Sequence, residues 1–234
     1  MPLADRIATP EGKRRYVRAL FARIADRYDF ITRALSYGQD GRWKRRVIAL
    51  AAPRAGSRVL DLATGTGDMA FAAAREGARV VGLDITYRMI ELARAKDQRA
   101  RFLVGDMLAL PFPATSFDIV TTGYGLRNVP NLVAAIDEIA RVLAPGGQAV
   151  SLDFDRPSNP IVRTAYLSYL TVVGAALGWM LHGDPDTYRY IPASIRQYPG
   201  AAAVAQMFRE RGFSRVRHYP VLGGLMAIHH AVRD

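Results

Sequence analysis

The sequence predicts an α/β fold with a mostly parallel sheet of seven strands, because strand and helix signals alternate and the last two strands follow each other directly. Five strand signals fall near residues 57–62, 78–84, 101–105, 117–122 and 147–154, and helix signals fall near 68–76, 86–96 and 131–143. Such alternation is typical of a parallel sheet with helices on both faces. The last two strand signals, near 214–220 and 224–232, are joined only by Gly223-Gly224, so we expect them to form an antiparallel pair.

Turn and cap residues bound the later elements. The helix that precedes the fifth strand is predicted to begin at Pro130 or Asn131, and the run 144–147, Ala-Pro-Gly-Gly, is predicted to stop it. Residues 158–200 interrupt the alternation. A further helix is predicted over Ala202–Arg211, just before the closing pair of strands.

The first fifth of the chain is predicted to be helical. Apolar residues such as Val17, Leu20 and Ile24 recur at helical spacing with arginines between them, and a second helix is predicted from Gly41 to Ala51. We therefore divide the chain into an N-terminal helical cap, residues 1–52, and a main domain, residues 53–234, with an insertion at about 156–200.

Composition limits the classes of protein to consider. The chain has 234 residues, 50% of them hydrophobic, which suffices for one α/β domain with a core. It has no cysteine, which excludes disulfides and thiolate metal sites. The four histidines lack the spacing of metal ligands, so no metal is expected. Charges recur from Asp5 onward, so we expect no signal peptide and a cytoplasmic location.

The net charge of +11 is unevenly distributed. Residues 11–46 contain eleven Lys and Arg against four Asp and Glu. A basic face attracts polyanions, either an anionic lipid surface or nucleic acid. The alternative is a solvated, arginine-rich helix. No recognised nucleic-acid-binding motif is present, so we expect no nucleic acid partner.

A glycine turn between two strands predicts a pocket for an adenosine-containing ligand. Residues 59–68, Val-Leu-Asp-Leu-Ala-Thr-Gly-Thr-Gly-Asp, describe a buried strand that enters such a turn and then a helix. Gly65 and Gly67 would let a ligand approach the backbone closely. The next strand ends in Asp84, and an acid in that place can accept hydrogen bonds from both hydroxyls of a ribose.

The acids around this turn favour one ligand over another. Gly65, Gly67 and Ala70 also fit the loose pattern of dinucleotide binders, but Asp61 would repel a pyrophosphate. A carboxylate suits a ligand that carries an ammonium and a sulfonium, as S-adenosylmethionine does. Asp106, after the third strand, can face the adenine amino group. Asp61 has the alternative of bonding loop amides, and both Asp84 and Asp106 have the alternative of capping a helix.

These features resemble the class I S-adenosylmethionine-dependent methyltransferases over residues 57–154 and the closing pair of strands. Other segments resemble one group among them, the ubiquinone/menaquinone biosynthesis C-methyltransferases. Those segments are 25–29, 35–38, 43–44, 125–129, 188–191, 194–195, 198–199 and 223–229. The resemblance implies a Rossmann-like seven-stranded methyltransferase sheet with a terminal antiparallel pair, N-terminal helices and a helical insertion before the last two strands.

The resemblance also implies an activity and a set of cofactor residues. The activity is methyl transfer from S-adenosylmethionine to a ring carbon of a prenylated quinol precursor. The family's cofactor residues fall on Thr66, Asp84, Asp106 and Met107. With the glycine turn and the strand ends, the predicted cofactor-binding set is Asp61, Gly65, Thr66, Gly67, Asp84, Ile85, Asp106, Met107 and Gly123.

The predicted catalytic residues follow the fourth and fifth strands and occupy the insertion. Arg127 can stabilise a phenolate or orient a water that acts as base, and its alternative is an ion pair with Asp153. Asn128 either contacts the acceptor or caps the helix that begins near residue 130. Asp153 and Tyr188 complete the set, and His182 is a weaker candidate.

Several residues depart from the family's pattern, which leaves the acceptor open. Thr32, Asp40 and Gly41 stand where Asn, His and Arg are usual, Thr64 replaces Gly or Cys, and Asp153 and Asp155 replace Glu and Ser. The alternatives are an O-, N- or C-methyltransferase of another phenolic or quinol compound and a non-catalytic cofactor-binding subunit. A nucleic-acid methyltransferase is disfavoured, since the Asn/Asp-Pro-Pro-aromatic motif is missing.

The insertion contains an apolar stretch. Residues 164–181 carry no charge, but they lie between two strands of one sheet, so we do not expect them to cross a bilayer. One interpretation is an apolar lid that accepts a prenyl tail and touches an anionic membrane surface at the inner face of the membrane. The other is a buried helical hairpin. The oligomeric state stays open, with a homodimer as one hypothesis.

Overall fold

The predicted seven-stranded sheet is confirmed. The structure is a computed structural model, and it describes residues 3–157, 159–184 and 187–234. The strands are β1 (Arg58–Leu62), β2 (Arg79–Asp84), β3 (Arg101–Val104), β4 (Phe117–Gly123), β5 (Leu143–Phe154), β6 (Phe213–Val221) and β7 (Met226–Arg233). They lie in the order β3-β2-β1-β4-β5-β7-β6. Strands β1 to β5 pair in parallel, whereas β7 pairs antiparallel with both β5 and β6.

Helices cover both faces of the sheet. From residue 40 onward the helices are α4 (Asp40–Ala51), α5 (Asp68–Arg75), α6 (Tyr87–Lys96), α7 (Leu132–Val142), α8 (Pro160–His182), α9 (Tyr190–Gln197) and α10 (Ala201–Arg209). Helices α4, α5 and α6 share one core with Val59 of β1. Helices α7 and α10 share the other core with Leu60 and Leu62. This alternation follows from the two-residue period of a strand, which points successive side chains to opposite faces.

Three short helical segments precede α4. They are α1 (Leu3–Arg6), α2 (Pro10–Ile24) and α3 (Tyr28–Leu35), with a 3-10 turn over Ala25–Arg27. The predicted helical region is therefore more broken than its apolar spacing indicated. One break lies just before α4, where Tyr37 and Gly38 both have positive φ values of 51° and 76°.

The first four helices pack in two places. Residues of α2 and α3 form a separate apolar cluster with Tyr188 and Tyr190. In contrast, α4 places Trp43 and Val47 in the core of the sheet. The N-terminal region thus contributes both to the sheet layers and to a cover above the ends of the strands.

The fifth strand begins earlier than the sequence predicted. Its pairing with β4 starts at Phe117–Leu143, shifts, and resumes at Ile119–Gln148. Gly146 has a φ of 73° at this shift. The Ala-Pro-Gly-Gly run does follow the end of α7, but it forms a bulge inside the strand rather than a turn ahead of it.

The apolar stretch of the insertion forms α8, the one helix in the described part of the chain that is long and apolar enough to cross a membrane. Its inner side packs through Leu167, Leu170 and two glycines. A Cβ at Gly174 would lie 3.2 Å from Cβ of Tyr188, so the helix approaches its neighbour closely. Its outer side exposes apolar residues, among them Ile161, Val172, Trp179 and Met180. The helix is therefore not the fully buried hairpin of the second interpretation.

Candidate active site

A cavity of about 700 Å³, part of it open to solvent, lies where β1 to β4 end. We call it the sheet-edge cavity. Six of the nine predicted cofactor residues line it: Gly65, Asp84, Ile85, Asp106, Met107 and Gly123. They follow four different strands, and parallel strands bring their carboxyl ends to one edge, where ligands of open α/β sheets bind.

Asp84 organises the glycine turn beside this cavity. Its Oδ2 accepts a hydrogen bond from the Gly65 N–H at 2.9 Å, and its Oδ1 accepts one from the Thr86 N–H at 2.8 Å. Burial raises the pKa of this carboxyl, and the two backbone bonds oppose that shift. A carboxylate has about four acceptor positions, so these two bonds leave capacity for a ligand's hydroxyls.

Three predicted cofactor residues do not line the sheet-edge cavity. Asp61 is fully buried and accepts hydrogen bonds from the hydroxyls of Thr64, at 2.6 Å, and Thr121, at 2.7 Å. Burial raises the pKa of Asp61 to about 6, against the pull of those bonds. The acid thus bonds two neighbouring hydroxyls and the backbone amide of Ala70 in α5, so its structural alternative is present in part. Whether it also contacts the cofactor stays a prediction.

Thr66 and Gly67 lie on the other side of the glycine turn. The Thr66 hydroxyl donates to Oδ1 of Asp29 at 2.6 Å and borders a small third cavity beside Lys44. Gly67, with a φ of 90°, precedes α5, and a Cβ there would lie 2.7 Å from the Phe71 ring. The structure therefore gives Gly67 a packing reason, and its contact with the cofactor stays a prediction.

Asp106 connects the sheet to the N-terminal helices. Its Oδ1 accepts from the Leu108 N–H at 2.9 Å within a turn, and no helix follows in the described chain before β4, so the helix-capping alternative for Asp106 is wrong. Its Oδ2 forms a salt bridge of 3.0 Å with Nη2 of Arg14, a residue of α2. Helix α2 thus lies over the sheet-edge cavity and closes part of it. Sequence reasoning missed Arg14, because one arginine among many on a helix gives no signal of its partner.

A second, larger cavity adjoins the first. It encloses about 1190 Å³, part of it open to solvent, and its lining is mostly aromatic and aliphatic. We call it the apolar cavity. Much of its lining comes from α2, α3, α8 and the start of α9 with the residues before it, and other parts come from α4, the end of β5 and the segments that follow β4 and β6. Phe21, Tyr28 and Tyr124 line both cavities, so they form the wall between them.

Arg127 borders the apolar cavity from a 3-10 turn after β4. Its Nε lies 3.1 Å from Oδ1 of Asp153, its backbone N–H donates to Oδ2 at 3.0 Å, and its Nη1 donates to Oγ of Ser194 at 2.7 Å. Burial raises the pKa of Asp153, against the charge of Arg127. The ion pair that was the alternative for Arg127 is therefore present, and Arg127 also lines the apolar cavity, so its role toward the acceptor stays a prediction.

Asn128 and Tyr188 lie in different cavities. Asn128 lines the sheet-edge cavity, where its Nδ2 donates to the carbonyl of Tyr124 at 2.7 Å. Asn131, rather than Asn128, caps α7, because its Oδ1 accepts from the Ala134 N–H at 3.1 Å. Tyr188 lines the apolar cavity with its hydroxyl 2.9 Å from Nε2 of His182, and burial raises the pKa of Tyr188 to about 12.

Two buried hydroxyls in the lining of the apolar cavity have no hydrogen-bond partner within the described residues. They belong to Tyr190 and Thr187. A buried hydroxyl without a partner is unfavourable, so a ligand with polar atoms would satisfy them. The resemblance at residues 188–191 pointed to this segment, but no sequence signal distinguished Tyr190 from Tyr188.

A buried polar network begins at Tyr124, in the wall between the cavities. The hydroxyl of Tyr124 donates to Oδ1 of Asp40 at 2.6 Å, and Oδ2 of Asp40 lies 2.7 Å from Nζ of Lys44. Lys44 also contacts Asp68 at 2.9 Å. Burial alone would lower the pKa of Lys44, but the charges of Tyr28, Asp40 and Asp68 raise it instead. Lys44 is thus held as a cation between two carboxylates.

The sequence matches one known family along nearly its whole length. Residues 9–233 match the ubiE/COQ5 methyltransferase family. A demethylmenaquinone methyltransferase of Thermus thermophilus is 43% identical over 216 residues, which cover 90% of this chain and 98% of that protein. The ubiquinone/menaquinone biosynthesis C-methyltransferase UbiE of Dinoroseobacter shibae is 37% identical, over 94% of this chain and 91% of that protein.

Solved structures share the fold. An S-adenosylmethionine-dependent methyltransferase of Thermotoga maritima superposes with a TM-score of 0.66 at 18% identity, covering 93% of this chain and all of that one. Another from Aquifex aeolicus gives a TM-score of 0.58 at 16% identity, covering 82% of this chain and 89% of that one.

Proposed function

Because the chain belongs to the ubiE/COQ5 methyltransferase family, we propose that it is an S-adenosylmethionine-dependent C-methyltransferase that acts on a ring carbon of a prenylated quinol precursor. One observation carries the proposal: Phe21, Tyr28 and Tyr124 form a common wall between the sheet-edge cavity and the apolar cavity. Methyl transfer requires the donor carbon and the acceptor atom to meet in line, and two adjoining cavities allow that placement.

The residues of the sheet-edge cavity fit S-adenosylmethionine, which supplies an electrophilic methyl group on a sulfonium. Asp84 would bind the ribose hydroxyls with the acceptor positions that Gly65 and Thr86 leave open. Asp106 would face the adenine amino group. The small third cavity, beside Thr66 and Lys44, would receive the methionine end, where a cation suits the carboxylate.

The apolar cavity fits an acceptor with a polar ring and a hydrocarbon tail. Arg127 keeps its positive charge at every ordinary pH and would stabilise a phenolate oxygen, which makes the ring carbon nucleophilic. The hydroxyls of Tyr190 and Thr187 would bond a ring oxygen. The remaining lining, from residues such as Ile31 and Leu170, would contact the tail.

We also propose that α8 rests on an anionic membrane surface at the inner face of the membrane, where a long-tailed quinol is found. The helix exposes Val172, Trp179 and Met180. At the C-terminal end of α8, Arg23 and Arg27 donate hydrogen bonds to backbone carbonyls of the helix. Apolar side chains next to cations suit an anionic lipid surface. The homodimer and the division into a cap of residues 1–52 and a main domain stay predictions.

Transfer of radiolabelled methyl from S-adenosylmethionine tests the proposed function. We expect the purified protein to methylate demethylmenaquinol, with mass spectrometry placing the methyl on a ring carbon, and to be much less active on a tail-less phenol. Methylation at oxygen or nitrogen would contradict the proposal. Normal cofactor binding without turnover on any quinol would support a non-catalytic subunit instead.

A further inference from the structure

The lining of the apolar cavity lacks an acidic or imidazole side chain among the described residues, although C-methylation of a quinol needs a base. Apart from Arg127, its polar side chains are hydroxyl and indole groups, and a guanidinium is not a base at ordinary pH. A carboxylate or imidazole can therefore take the acceptor's proton only through one of these hydroxyls or through water. Two lining tyrosines reach such a group: Tyr124 bonds Asp40, and Tyr188 bonds His182.

Tyr124 is the better placed of the two. It lies in the wall shared by both cavities, whereas Tyr188 lines the apolar cavity alone. The reacting ring carbon must meet the methyl donor at that wall, so the hydroxyl on the carbon next to it also lies there. Asp153, another buried carboxylate near the cavity, is bonded by the side chain and the backbone of Arg127 and by the Phe154 N–H, and no lining hydroxyl among the described residues connects it to the cavity.

We propose that Tyr124 and Asp40 form the proton relay that activates the acceptor in the proposed methyl transfer, on which this inference rests. The acceptor hydroxyl donates its proton to Oη of Tyr124 while the phenolic proton of Tyr124 passes to Oδ1 of Asp40, 2.6 Å away. Tyr124 is then a catalytic residue, and Asp40 is the base that acts through it.

The step balances as follows. The electron pair of the deprotonated hydroxyl moves into the ring, the ring carbon forms its bond to the methyl carbon, and the methyl–sulfur bond breaks with its pair left on sulfur. The methylated ring carbon then loses its hydrogen as a proton to solvent, which restores the aromatic ring. The proton on Asp40 returns through Tyr124 to the ring oxygen, so one proton is released for each methyl transferred.

Asp40 is held in place from three sides. Lys44 contacts Oδ2 at 2.7 Å, Tyr124 donates to Oδ1, and the Asp40 N–H bonds Oγ of Ser36 at 3.1 Å. Lys44 also contacts Asp68 at 2.9 Å, so this cation is shared between two carboxylates. These contacts fix Oδ1 of Asp40 toward the hydroxyl of Tyr124.

The test compares Tyr124→Phe and Asp40→Asn with the wild-type enzyme, with Tyr198→Phe as the matched control. Tyr198 has a buried hydroxyl too, but that hydroxyl has no partner among the described residues and Tyr198 lines neither cavity. We expect kcat on the quinol to fall at least about 100-fold in both relay variants, while the cofactor affinity of Tyr124→Phe by calorimetry changes little. Tyr198→Phe should match the wild type.

The pH profile separates a proton relay from a structural role. In the relay variants, the remaining rate should rise with hydroxide concentration, because solvent must supply the base. Acceptor analogues with more acidic hydroxyls should raise the rate of these variants by a larger factor than they raise that of the wild type. Asp40→Glu, which keeps a carboxylate, should restore part of kcat. The relay would be overturned if kcat of Tyr124→Phe stayed within threefold of the wild type with the same pH profile. It would also be overturned if kcat fell in Tyr188→Phe and not in Tyr124→Phe. A wild-type enzyme inactive on every quinol would refute the proposed function and the relay with it.

Discussion

Arg127 and Asp153 form a salt bridge that is buried on both sides, with side chains 5% and 2% exposed and 3.1 Å between Nε and Oδ1. The pair links the ends of β4 and β5 at the apolar cavity. Removing one partner of such a pair leaves an unpaired buried charge. We therefore expect Asp153→Ala to lower the free energy of unfolding by about 3–5 kcal/mol in urea titrations. Asp118→Ala, which breaks the exposed pair with Arg58, should lower it by about 1 kcal/mol or less.

The same pair complicates any test of Arg127 as a catalytic residue. Arg127→Ala should reduce turnover far more than cofactor affinity, but it also leaves Asp153 unpaired. The double variant Arg127→Met/Asp153→Leu replaces both charges with apolar groups and should keep most of the stability. If that variant is folded, binds the cofactor normally and turns over as the wild type does, Arg127 has a structural role only.

Asp84 is expected to contribute to cofactor affinity. Asp84→Ala removes the predicted bonds to the ribose and the observed bonds to Gly65 and Thr86. We expect the dissociation constant of S-adenosylmethionine to rise at least about tenfold, which corresponds to about 1.4 kcal/mol from lost charged hydrogen bonds. Calorimetry on Asp84→Ala and on Asp118→Ala, whose carboxylate lines neither cavity, gives the comparison. Equal affinities would refute the ribose assignment.

Tyr190 offers a test of the acceptor's position. Its hydroxyl is buried and without a partner in the described structure, so Tyr190→Phe should leave the free energy of unfolding unchanged or raised. If the hydroxyl bonds a ring oxygen, KM for the quinol should rise up to about tenfold. Tyr198→Phe removes an equally buried hydroxyl away from both cavities and should leave KM unchanged. If KM for the quinol is the same in Tyr190→Phe and Tyr198→Phe, the ring of the acceptor does not bind at the Tyr190 hydroxyl.

The outer face of α8 predicts membrane association. We expect the wild type to float with anionic liposomes at low salt and to be released as salt rises, because Lys and Arg residues supply the electrostatic part. Trp179→Gln with Met180→Gln removes two exposed apolar side chains and should weaken partitioning at least about tenfold. Val133→Gln, an exposed apolar position on α7, is the control. Equal flotation of both variants, or no flotation of the wild type, would contradict the membrane surface.

Local sequence patterns predicted most of the fold because the sheet depends on local signals. Alternating strands and helices, the Gly223-Gly224 turn and the acid at the end of β2 each act within a few residues. The bulge at Gly146 was missed, since an Ala-Pro-Gly-Gly run fits a turn as well as an irregular strand. The breaks in the N-terminal helices were missed because the apolar spacing continues across them.

The candidate site was predictable only in part, for a related reason. The glycine turn and Asp84 lie within 20 residues of each other and carry a recognisable spacing. The contact between Tyr124 and Asp40 joins residues that are 84 positions apart in the chain. The contact between Arg14 and Asp106 joins helix α2 to the turn that follows β3. Such contacts depend on how the N-terminal helices pack over the strand ends, and a single sequence contains no signal for that.

The buried side chains of His229 and Asp61 should make the free energy of unfolding depend on pH in opposite directions over the same pH range. Burial lowers the pKa of His229 to about 4, against the hydrogen bond to the Ala201 carbonyl, so between pH 4 and 6.5 the unfolded state binds more protons and stability rises with pH. Burial raises the pKa of Asp61 to about 6, so between pH 4 and 6 the folded state binds more protons and stability falls with pH. Each effect amounts to about 3 kcal/mol, so the two nearly cancel.

Substitution should separate these opposing effects. Urea titrations at intervals from pH 4 to 7.5 measure the free energy of unfolding of the wild type, His229→Gln and Asp61→Asn. The wild type minus His229→Gln difference should increase by about 3 kcal/mol as the pH rises from 4 to 6.5, because only the wild type must deprotonate His229 to fold. The wild type minus Asp61→Asn difference should decrease by a similar amount, since only the wild type must bury the Asp61 charge. If the free energies of unfolding of all three proteins change with pH in parallel, then neither residue has the difference in pKa between the folded and unfolded states that its burial requires.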